Sequence, residues 1–266
     1  SVSAIDIDPD GKSIWVAERC SSDSIRGGYP VRGCAESDLP VILKFNSNGD
    51  MVRSFGGGIF AVPHGFHVDH DGNIWVTDAP FNLPPGVEGK GHIVVKFSPL
   101  GDRLMTLGTP GVPGNGQNHF NMPSDVHVAP NGDIFVADGH GGDSNGRIVK
   151  FDLQGNYIME WGRPGSGPGE FDTPHGLAMD SQGRLFVADR TNNRIQIFDQ
   201  EGNFLDSWEQ FSRNSGIYID SNDLLYAVDS ESNDNNGHGD WRRGIRVGSA
   251  RTGEVHFFIP DPFDAN

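Results

Sequence analysis

With 266 residues the chain has room for one large domain, and 36 Asp plus Glu against 20 Lys plus Arg leave a net charge of −16. A field of that sign repels nucleic acid and anionic membrane surfaces, and its natural uses are solubility or the attraction of cations. No apolar run approaches the ~20 residues of a membrane span, and 37 Gly and 17 Pro spread through turns suit an all-β chain rather than a disordered one.

Short alternating or apolar segments bounded by Gly, Asn, Asp and Ser read as strands and turns. Repeat one covers about 1–58. AIDIDPDG is its innermost strand and turn, SIWVAER the second strand, VILKFNSNG the third and DMVRSFG the fourth. Between the second and third strands lies a long insertion that carries both cysteines, Cys20 and Cys34. Two cysteines in one polar loop are expected to form a clip worth ~3 kcal/mol, which places the chain in a periplasmic or extracellular compartment. No leader-like stretch precedes Ser1, which is therefore expected to start a mature chain or an expressed fragment.

Repeat two covers about 59–108, with GFHVDHDG, NIWVTD, IVVKFSPLG and DRLMTLG in the same order. Repeat three (122–162) and repeat four (172–208) follow after Gly- and Pro-rich connectors, and repeat five runs from 211 to 259. Repeat four is the most compact, four strands in about 40 residues, the period of a β-propeller blade. The fold class is therefore an all-β propeller of four-stranded antiparallel blades in a single domain. The chain starts on an innermost strand and ends after an outermost one, so no strand is left to close the ring by pairing into the first blade. A six-bladed type with five blades in this chain is expected, because the tail IPDPFDAN reads as a connector; a closed five-bladed ring is the alternative.

Four of the five repeats lengthen the loop between second and third strands, so one face is elaborated and is expected to carry function. The triplet Pro-His-Gly stands on that face twice, at the start of innermost strands in repeats two and four, with His64 and His175 at its centre. Repeat three has Ser124 there. Histidines on alternate blades suit an open zinc site, three protein ligands with a fourth position for substrate; structural turn chemistry is the plainer reading. Arg19 and Arg190 end second strands on the same face and suit a substrate carboxylate, with a structural salt bridge to a neighbouring Asp as the alternative. His140, one residue past an Asp-Gly turn, is expected to exchange protons. Asp78, Asp138, Asp189 and Asp229 are expected to tie loops, and His67, His92, His119, His127 and His238 have weaker claims.

The stretches VPHGFHVDHDGNIWVTD, GQNHFNMPSDVHV and TPHGLAMDSQGRLFVADRTNNRIQIF resemble NHL-repeat propellers, and among them the peptidyl-α-hydroxyglycine α-amidating lyase family. That resemblance implies a six-bladed propeller with a zinc held by three histidines and a calcium on the axis. By motif it implies His64 and His175 as zinc ligands, Arg19 and Arg190 as active-site arginines, and the backbone carbonyls of Ile5 and Phe66 as calcium ligands. The family's third zinc histidine belongs to a sixth blade, its catalytic tyrosine is replaced by His140, and its own disulfide cysteines are missing here. The implied function is a zinc-dependent lyase that splits a hydroxylated, carboxylate-bearing small molecule or peptide C-terminus into an amide and glyoxylate. A monomer is expected, without nucleic-acid or membrane partners. Two rival readings are a non-enzymatic interaction platform and a metal-dependent lactonase on a similar scaffold.

Overall fold

The structure, a computed structural model, describes residues 2–20, 33–81, 89–236 and 238–263. The middle parts of the first two insertions, 21–32 and 82–88, lie outside the described residues. The described residues form five four-stranded sheets, each antiparallel and in simple chain order. They are β1 (Val2–Ile7), β2 (Ile14–Glu18), β3 (Ile42–Phe45) and β4 (Met51–Phe55); then β5 (Pro63–Val68), β6 (Ile74–Asp78), β7 (Ile93–Phe97) and β8 (Arg103–Leu107). The third sheet holds β9 (Pro123–Val128), β10 (Ile134–Asp138), β11 (Arg147–Phe151) and β12 (Tyr157–Trp161). The fourth holds β13 (Pro174–Met179), β14 (Leu185–Asp189), β15 (Arg194–Phe198) and β16 (Phe204–Trp208), and the fifth β17 (Gly216–Ile219), β18 (Leu224–Asp229), β19 (Gly244–Ser249) and β20 (Val255–Pro260). The chain is a β-propeller of four-stranded blades, five of them among the described residues. The last strand, β20, ends at Pro260, one residue past the expected end of repeat five.

The chain divides into two compact units, Ser1–His140 with Lys150–Ile158, and Gly141–Val149 with Met159–Asn266. In the first unit, blades one and two share a core of Trp15, Ile42, Phe60, Phe66, Val76 and Phe97. In the second, Phe186, Ile197, Trp208, Phe211 and Leu225 pack blades four and five together. Large aromatics suit this role because each buries much apolar area between two pleated faces.

Asp-x-x-Gly turns close the first hairpin of several blades. In blade two Asp69 accepts from the amides of Asp71 and Asn73, and Gly72 turns at φ +79, a left-handed conformation open to glycine. The same aspartate also accepts from Trp75 Nε1 at 3.0 Å, with Lys96 Nζ 3.7 Å from it and 5.0 Å above the Trp75 ring. Blade one repeats the unit with Asp8, Trp15 and Lys44. Blade four keeps it as Asp180, Phe186 and Arg184.

Candidate functional site

In each blade the start of the innermost strand lies beside the end of the second, since Pro63 pairs with Asp78, Pro123 with Asp138 and Pro174 with Asp189. Antiparallel register thus brings the Pro-His-Gly triplets level with the second-strand ends and the loops that follow. The register slips at this point in β5 and β13, so both triplets sit on irregularities that re-aim a side chain.

In the first unit, buried Asp78 accepts from the amides of Ala61 at 2.8 Å and Val62 at 2.6 Å, fixing the lead-in to the triplet. Burial pushes its carboxyl up to about 6, against the opposing pull of those amides. Pro63 offers its carbonyl to Arg19 Nε at 3.1 Å. His64 is buried, and its Nδ1 lies 2.7 Å from the Ser124 carbonyl. A carbonyl only accepts, so Nδ1 carries the proton and Nε2 the lone pair. Gly65 allows the closeness: a Cβ there would stand 2.4 Å from the Ser124 oxygen and 2.5 Å from the Asp125 Cα. His140, just after β10, meets the His64 ring edge-on at 4.5 Å. It also stacks on Phe81 at 4.7 Å and 12°. The Arg19 guanidinium sits 5.5 Å from the Phe81 ring centre on its face, a cation–π contact. Phe81 is thus a platform shared by Arg19 and His140.

The second unit repeats the corner. His175 Nδ1 lies 2.7 Å from the Ser215 carbonyl, so the two histidines take the same tautomer for the same reason. Ser124 and Ser215 occupy the position in blades three and five that His64 and His175 occupy in blades two and four. The crowding differs: a Cβ on Gly176 would meet its nearest atom, Gly216 Cα, at 3.4 Å. Arg190, one residue past β14, places Nη1 3.2 Å from Glu231 Oε1. Arg213 holds the other oxygen of Glu231 at 3.3 Å through Nη2 and donates Nη1 to the Arg190 carbonyl at 3.2 Å. His238 stacks on Trp241 and pairs Nδ1 with Ser232 Oγ at 2.8 Å, and burial holds its imidazole below the usual range.

The four aspartates ending second strands do tie loops. Asp138 accepts from the Asn121 amide, Asp189 from the Asp172 amide and Arg194, and Asp229 from Ser212 and Ser232. Ile5 is exposed in β1 and Phe66 buried in β5, two innermost strands that pack side by side. Asp6 links these strands through the Val68 amide at 2.8 Å and lies 3.4 Å from His67 Nδ1. Cys20 and Cys34 form a disulfide with Cα atoms 5.0 Å apart. Sequence reasoning missed Phe81, Arg213 and Glu231. Phe81 and Glu231 lie in the lengthened loops, where the repeat pattern carries no information; their nearness to a second-strand end was the available signal.

The NHL-repeat family profile matches residues 171–198. NHL repeat-containing protein 3 of Homo sapiens is 36% identical over 194 residues, 70% of this chain and 53% of that protein. Peptidyl-alpha-hydroxyglycine alpha-amidating lyase 1 of Drosophila melanogaster is 34% identical over 164 residues, 57% of this chain and 28% of that protein. Among solved structures, virginiamycin B lyase from Staphylococcus aureus superposes with a TM-score of 0.61 at 18% identity, covering 98% of this chain and 71% of that one, a likeness of fold. The chain spans about half or less of the length of these curated relatives. It is a β-propeller whose residues 171–198 match the NHL repeat. Within that class it resembles the peptidyl-α-hydroxyglycine α-amidating lyase family.

Proposed function

We propose that the chain is a zinc-dependent lyase that cleaves a hydroxylated, carboxylate-bearing substrate, releasing an amide and glyoxylate. The observation that carries this reading is the shared tautomer of His64 and His175. Each Nδ1 is committed to a backbone carbonyl at 2.7 Å, so each presents Nε2 as the basic nitrogen. That bonding is the usual support behind a metal-ligating histidine. His140 joins them as third ligand, replacing the proton-carrying role expected for it. A three-nitrogen set suits zinc with one position left for substrate.

The bound metal would supply Lewis-acid polarisation at the substrate hydroxyl. Arg19 takes the substrate carboxylate, because Phe81 and the Pro63 carbonyl hold its guanidinium in one plane. Arg190 is a second carboxylate-binding group, its charge shared with Glu231. Phe81 sets an apolar ring beside His64 and His140. Calcium at the carbonyls of Ile5 and Phe66 belongs to the same proposal. Carbonyl oxygens suit a hard cation, and these two would supply part of the ~6–8 oxygens that calcium takes. A periplasmic or extracellular site of action fits the disulfide, and no helix among the described residues is long and apolar enough to cross a membrane.

Incubation of the purified chain with N-benzoyl-α-hydroxyglycine tests the reading. Benzamide and glyoxylate should form in equal amounts, with the rate lost on chelation and restored by zinc. The Arg19→Ala variant should lose about 10²-fold or more in kcat/KM. Absence of glyoxylate from zinc-loaded protein would leave the non-enzymatic platform, the reading favoured by the likeness to NHL repeat-containing protein 3.

A further inference from the structure

Arg190 and Arg213 are side by side in the second unit, and one carboxylate, that of Glu231, bridges them through separate oxygens. Both guanidiniums are deeply set, with 11% of each side chain exposed, whereas the Glu231 side chain is 29% exposed. The acid is thus the outermost member of the trio. Its backbone is pinned independently of its carboxylate: the amide donates to Asp229, and the carbonyl accepts from Asn233 and Asn236. Glu231 can therefore leave the arginines by side-chain rotation alone, without moving its loop. Arg213 is held in place by its bond to the Arg190 carbonyl, and two residues later comes Ser215, whose carbonyl orients His175. Two guanidiniums thus face the one carboxylate of Glu231.

We propose that Arg190 and Arg213 form a carboxylate-binding cradle in which Glu231 is a built-in occupant that an incoming ligand carboxylate displaces. The ligand class is a small molecule ending in a carboxylate, whose two oxygens can take the places of those of Glu231. Arg213 becomes a binding residue that the sequence motifs do not mark, and Glu231 sets a threshold: the ligand must out-compete an intramolecular carboxylate, so observed affinity is reduced by the fraction of time the cradle is filled. This deepens the lyase reading and rests on its carboxylate-bearing substrate, but not on its zinc.

Hippurate, an acyl-glycine without the reactive hydroxyl, is the probe, and benzamide, which lacks the carboxylate, is the control. Binding is measured calorimetrically on the full chain before and after chelation, with zinc content determined on the same samples. The Glu231→Gln and Glu231→Ala variants should each bind hippurate about tenfold more tightly than the unaltered chain. Benzamide binding should not change, and adding Arg213→Lys should remove the gain. Two variants are used so that misfolding of one, judged by circular dichroism, leaves the other. Unchanged or weaker hippurate binding in the folded Glu231 variants would overturn the proposal, as would a gain that survives Arg213→Lys. Because the signal is expected in chelated protein, its presence or absence is independent of whether the chain holds zinc.

Discussion

Gly65 and Gly176 are identical in sequence context, each closing a Pro-His-Gly triplet, yet they meet different surroundings. A methyl group on Gly65 would collide with backbone atoms of Ser124 and Asp125 at 2.4–2.5 Å, whereas one on Gly176 would rest in ordinary contact at 3.4 Å. Gly65→Ala should therefore cost about 3 kcal/mol and Gly176→Ala less than about 1 kcal/mol, read as shifts in denaturant midpoint. Equal costs would mean that the two corners are packed alike. At this scale the sequence singled out two histidines, because the triplet repeats. It did not show what holds them, because each imidazole is fixed by the carbonyl of a serine on the next blade. The paired role of Arg190 was legible only as an alternative, since Glu231 lies in a loop with no counterpart in the other repeats.

Strands and blades were the most legible features, for a physical reason. Alternation of apolar residues and the Asp-x-x-Gly turn are local properties, and local properties repeat with the blade. The turn between β17 and β18 adds a connection that repetition does not reveal. Asp223 is buried there and accepts from the Ser181 amide at 2.9 Å, from its hydroxyl at 2.7 Å and from Arg251 at 2.8 Å, tying blade five to blade four. Those bonds, the Ser181 amide foremost, hold its carboxyl down to about 2. A depressed acid binds fewer protons folded than unfolded, so its contribution is complete above about pH 4 and is lost as pH falls through 2. Asp223→Asn tolerates the local φ of +60 and should cost about 1–2 kcal/mol at neutral pH. In unfolding curves that gap to the unaltered chain should close between pH 4 and 2; a gap that persisted at pH 2 would place the stabilisation elsewhere.

At the scale of the molecule, the cysteine clip was read correctly from composition and position alone, because two cysteines in one short loop have few other partners. Replacing both with serine should lower stability by about 3 kcal/mol, measured by chemical denaturation, and a reductant should do the same to the unaltered chain. An unchanged midpoint would assign the loop no part in stability. The net charge of −16 bears on the metal as well: it favours cations in general and so does not select zinc, which leaves selection to imidazole nitrogen. Zinc stoichiometry, measured by elemental analysis after dialysis against trace zinc, therefore tests the account most directly. The unaltered chain should hold one zinc, and His64→Ala, His140→Ala and His175→Ala should each retain less than about a tenth of it at the same free zinc concentration. Full zinc occupancy in any one of these variants, or none in the unaltered chain, would contradict the three-histidine site.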